Sequence, residues 1–161
     1  MDPVKSSLGG GVAATIVLAI FLFVGDALLA GTNLFVLATF TSLCSIGGPP
    51  YCELGTPQAT LLTLVVLVAL FTFAWPLFFA GFTWGLPGES GVVHGLVFGL
   101  VVWSGYAAVL WIGVWLGWET FASGGPVAAV LLLAYAVYGV VLGGVYDHLA
   151  EHRTLLVIES D

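Results

Sequence analysis

GVVHGLVFGLVVWSGYAAVLWIGVWLG, residues 91–117, contains no Asp, Glu, Lys or Arg. As a helix rising 1.5 Å per residue it would extend about 40 Å, more than the roughly 30 Å hydrocarbon core of a bilayer. Lipid leaves no partner for an unpaired backbone group, and a helix satisfies every such group internally. Three further apolar runs, 10–31, 58–82 and 126–149, are each long enough for the same purpose. The chain therefore reads as all-α, a polytopic transmembrane four-helix bundle in one membrane domain over 1–161. Composition agrees, with 60% hydrophobic and 7% charged residues where soluble domains carry about 25% charged.

The first run does not stop cleanly. After Gly31-Thr32-Asn33 the apolar character resumes at Leu34 and continues to Phe40. One helix from Gly10 to Leu43 would extend about 50 Å, too long without marked tilt. A break near Gly31 is expected, followed by a short interfacial or re-entrant segment over about 34–43. The flank Met1-Asp2-Pro3-Val4-Lys5 is nearly neutral and the run exceeds a signal-peptide core, so it reads as a retained helix.

Charge is lopsided: two basic residues against nine acidic, a net charge of −7. Acidic surfaces stay soluble where salt screens charge heavily, which points to a halophilic, archaeal source. The same balance excludes nucleic acid and anionic head groups as favoured partners, because both require basic patches. Lys5 precedes the first run and Arg153 follows the fourth. With four spans both termini share a side, and the positive-inside rule makes that side cytoplasmic in a multi-pass cell-membrane protein.

The loop Gly47-Gly48-Pro49-Pro50-Tyr51-Cys52-Glu53-Leu54-Gly55-Thr56-Pro57 is turn-rich. Cys44 and Cys52, the only cysteines, flank its first half on the oxidising side of that topology. They form a disulfide there or stand as two thiols; sequence leaves both open. Trp75-Pro76 predicts a kink in the second span. Pro126 sits at the start of the fourth, where its missing N–H is harmless. Tryptophans 84, 103, 111, 115 and 118 read as an aromatic belt.

Glycines recur at small-xxx-small spacing: Gly81/Gly85, Gly95/Gly99, Gly113/Gly117 and Gly139/Gly143. Such notches let helices approach closely in lipid, within the chain or between copies or membrane partners. The third and fourth runs echo each other, His94-Gly95-x-x-x-Gly99 against Tyr138-Gly139-x-x-x-Gly143, as a two-helix duplication would. With the start Gly10-Gly11-Val12-Ala13-Ala14-Thr15 and the end at Tyr146, these blocks resemble a family of small four-helix integral membrane proteins of unknown function found in archaea and bacteria. The resemblance spans most of the chain, although the Cys44–Cys52 loop is not part of the pattern. It implies the fold and no catalytic residue.

Ionisable groups near the spans are the remaining clues. Asp26 lies inside the first run, where a carboxylate usually faces the bundle interior or water. It reads as a proton or cation site, as a protonated acid, or as a group reaching the interface past the break. His94 opens the third run, and His148 and His152 share one face at the end of the fourth. If the last two helices are antiparallel neighbours, His94 and His148 fall at similar depth. Imidazoles beside Asp147 and Glu151 suit a divalent transition metal, and two facing histidines suit haem. The plainer alternative is a polar helix end leaving the membrane. No cofactor is expected on that alternative. Nothing in the sequence pairs a nucleophile with a base or cradles a phosphate, which argues against an enzyme. The functional classes are thus an accessory or structural component, an oligomeric transporter or channel using Asp26, and a redox subunit using His94 and His148.

Overall fold

Two polar residues sit where helices need ends. Thr56 precedes Pro57, and its hydroxyl accepts the Ala59 N–H at 3.3 Å, an N-cap with proline in the first turn. Ser90 does the same for Val93 at 3.5 Å. The computed structural model describes residues 3–29, 34–38, 56–85, 90–115 and 125–150. Within them the chain forms α1 (Pro3–Leu28), α2 (Leu34–Ala38), α3 (Pro57–Ala69), a π-helical turn (Leu70–Ala74), α4 (Trp75–Phe82) ending in a 3₁₀ turn (Thr83–Gly85), α5 (Gly91–Trp115) and α6 (Gly125–Ala150). The fold is all-α, with no strand among the described residues. Four helices are long and apolar enough to cross a membrane: Val4–Leu28, Pro57–Phe82, Gly91–Val109 and Gly125–Ala150.

The outer surface is apolar. Ile20, Phe23 and Leu28 on α1, Leu61 on α3, Phe78 on α4, and Trp111 and Trp115 on α5 are each more than half exposed. A water-facing monomer rarely carries such a continuous apolar surface. A multi-pass membrane protein does, and the four helices are compatible with one.

α6 is the axis of the bundle, with α1 along one side and α5 along the other. Both neighbours run antiparallel to it. Gly9 meets Leu149 and Gly25 meets Val130, while Gly95 lies against Gly139 and Gly91 against Gly143. α4 also runs against α1, since Gly11 meets Pro76 and Thr15 meets Thr72. The spans therefore alternate in direction, and the Pro3 end of α1 lies at the same end as Ala150. Aromatic rings fill the middle: Phe71 stacks on Tyr135 at 5.9 Å and meets Tyr138 edge-on at 5.0 Å. Further along, Phe79 meets Phe98 at 5.4 Å and Tyr146 at 5.5 Å, both edge-on.

The first apolar run is not a single helix. α1 ends at Leu28, and a second helix begins at Leu34 with Leu34 and Ala38 fully buried. The buried ends make this short segment part of the bundle's interior surface.

Candidate functional site

Among the described residues, the closest approach of two helices is the α5–α6 seam. A Cβ on Gly91 would lie 2.5 Å from the Gly143 carbonyl oxygen, one on Gly95 would overlap the Gly139 carbonyl, and one on Gly99 the Tyr135 carbonyl. The relation is reciprocal, since a Cβ on Gly139 or Gly143 would overlap the carbonyl of Gly95 or Gly91. Backbone touches backbone over two helical turns, which only hydrogen side chains permit. The echo between the two runs thus has a packing reason: α5 presents Gly91, Gly95 and Gly99 to α6, and α6 presents Gly139 and Gly143 in return. At the end of the seam the Gly91 N–H donates to Asp147 Oδ2 at 3.4 Å, a carboxylate on the positive end of α5. Of the other glycine pairs, Gly81 and Gly85 face open space, and the packing of Gly113/Gly117 lies outside the described residues.

The second span is broken where Trp75-Pro76 predicts it. The Trp75 N–H reaches back five residues, to the Leu70 carbonyl. In that register the next N–H would belong to residue 76 and serve Phe71, but proline has none. The Tyr138 hydroxyl donates to the Phe71 carbonyl instead, at 2.7 Å and fully buried. α1 closes the other side. The Ser7 hydroxyl donates to the Pro76 carbonyl, the Thr72 hydroxyl to Thr15 Oγ1 at 3.1 Å, and Thr15 in turn to the Gly11 carbonyl at 2.7 Å. Gly11 leaves room for all of this, because a Cβ there would overlap the Pro76 ring and lie 2.8 Å from the Thr72 carbonyl.

Asp26 sits at the last turn of α1, half-buried. Its Oδ1 accepts the Leu34 N–H at 3.2 Å, at the first residue of α2. At the other end of α2, the Tyr135 hydroxyl donates to the Ala38 carbonyl at 2.9 Å. One carboxylate and one phenol thus hold both ends of a five-residue helix, supplying partners for backbone groups that so short a helix leaves open.

His94 and His148 are not brought together. His94 is buried on the stripe of α5 that carries Phe98 and Val102. The seam register sets it level with about Val140. His148 is exposed and lies eight residues further along, about 12 Å. The similar depth expected from a short connection does not hold, because the seam aligns Gly91 rather than His94 with the last turns of α6. Among the described residues, no three His, Cys, Asp or Glu side chains group as a metal site would require. His152, Cys44 and Cys52 lie outside the described residues.

The clamps on the broken span escaped the sequence reading, yet signals for them are present. Ser7, Gly11 and Thr15 recur every fourth residue, a small and polar stripe on one face of α1. Tyr135 and Tyr138 lie mid-run in an apolar helix, where a buried phenol needs an acceptor. Trp103, read as belt, is half-buried, and its Nε1 donates to the Ala128 carbonyl at 3.2 Å.

Residues 1–157 match the model of a family of unknown function, DUF6789. No curated protein and no solved structure matches the chain.

Proposed function

The chain belongs to DUF6789, a family of unknown function, and from that premise and the geometry we propose that it is a non-enzymatic integral membrane protein. It acts as an accessory or structural component in the bilayer, with both termini cytoplasmic. One observation carries the reading: four polar side chains inside the bundle hold backbone. Ser7, Asp26, Tyr135 and Tyr138 each bond to a main-chain group at a break or a helix end. A transport path needs polar groups that exchange a cargo for water, and here those groups close the bundle. This weighs against a transporter or channel built on Asp26. The two-turn offset of His94 and His148 weighs against a haem or metal held jointly by that pair. Open glycines at Gly81, Gly85 and Gly105 support association with a second copy or a membrane partner. The acidic composition fits a salt-rich interior.

Proteoliposomes carrying a pH-sensitive dye, held at an imposed potential, test the reading. The expected proton and cation leak equals that of protein-free vesicles. A flux above that background, abolished in Asp26→Asn, would overturn the proposal in favour of the transporter.

A further inference from the structure

The two halves of the second span are anchored differently. α4 and the π turn are tied to α1 by Ser7 on the Pro76 carbonyl, Thr72 on Thr15, and the Gly11 notch. α3 has no such tie among the described residues: it runs straight into the π turn, and the separate element it packs against most is α2. Its buried side chains, Ala59, Thr63 and Leu67, form a single narrow stripe. α2 in turn touches α1, α3 and α6 and is held at its ends by Asp26 and Tyr135. The joint between the halves is a π-helical turn beside a proline, a place where the helical ladder has lost a rung.

We infer that α3 is a lever hinged on Leu70–Ala74 and that α2 is the wedge that sets its angle. While Asp26 and Tyr135 hold α2 between α1, α3 and α6, the lever stands still. Release of α2 lets α3 swing relative to α6 while α4 keeps its place on α1. α3 has 13 residues, a lever of about 20 Å, so a rotation of about 10° carries its free end about 3–4 Å. The motion changes the width of the groove that α2 now fills.

Pulsed electron-resonance distances in a Cys44→Ser/Cys52→Ser background test this. Spin labels at Thr60→Cys and Ala129→Cys, both exposed, report α3 against α6. Labels at Phe78→Cys and Ile20→Cys, also exposed, report α4 against α1. Tyr135→Phe, which keeps the ring and removes the donor to Ala38, should shift the first distance by about 3 Å or more, or broaden it as much, and leave the second unchanged. Asp26→Ala, which releases the other end of α2, should reproduce the selective change. Two unmoved distributions, two that broaden together, or a change in one variant only would each overturn the inference.

Discussion

Alanine at Gly95 is the sharpest test of the seam. The added methyl would overlap the Gly139 carbonyl oxygen and lie 2.9 Å from its carbon and 3.0 Å from the Gly143 Cα. Every one of these is backbone, so no rotamer change relieves the overlap, and α5 must withdraw from α6 by roughly 1 Å to restore ordinary contact. Overpacking of this kind costs about 1–3 kcal/mol, and a backbone-on-backbone clash belongs at the upper end. Alanine recovers about 1 kcal/mol of helix propensity, leaving a net loss of about 2 kcal/mol. Gly105 is the control, on the same helix and with nothing within 4 Å of a Cβ. There the propensity gain stands alone, and Gly105→Ala should be more stable than the parent by up to about 1 kcal/mol. Reversible unfolding in mixed detergent–SDS micelles, followed by tryptophan fluorescence, measures both. Gly95→Ala equal to or more stable than Gly105→Ala would refute the reasoning, because the two substitutions differ only in what the methyl meets.

Three further outcomes follow from the polar contacts. Tyr138→Phe leaves the Phe71 carbonyl without its donor and should cost about 1–2 kcal/mol in the same assay; parental stability would show that another group serves that carbonyl. Asp26→Asn keeps an acceptor for the Leu34 N–H and should fall within about 1 kcal/mol of the parent, whereas Asp26→Leu should lose about 1–3 kcal/mol; equal effects of the two would refute the capping role. Zinc titration of the purified protein should give the same occupancy for the parent and for His94→Ala/His148→Ala; stoichiometric metal lost in the double variant would restore a joint site to those histidines.

The architecture was legible because length and apolarity alone decide it. No soluble packing hides a run such as 91–117, and the break after α1 follows from a run too long for the bilayer. Pro76 announced the irregularity in the second span for an equally local reason, its missing N–H. The contacts that make the candidate site were not legible. Whether Asp26 faces water, lipid or a neighbouring N–H depends on where Leu34 returns, a tertiary fact with no periodic signature. The depth of His94 relative to His148 hinges on register, and several registers put glycine opposite glycine until the carbonyl contacts of Gly91, Gly95 and Gly99 select one. Tyr135 and Tyr138 advertised a need for acceptors without saying which carbonyls would supply them.

The position of α6 has a consequence for biogenesis. It leaves the ribosome after the other three spans, yet it supplies the donors for Phe71 and Ala38 and the partner surface for α5. Until it inserts, the earlier spans sit in the bilayer with two carbonyls lacking these donors and a glycine strip facing lipid. An insertion intermediate of that kind is what membrane quality control intercepts, so truncation or slow release before residue 125 should shorten the lifetime of the nascent protein. α6 thus acts as the keystone for the three spans made before it.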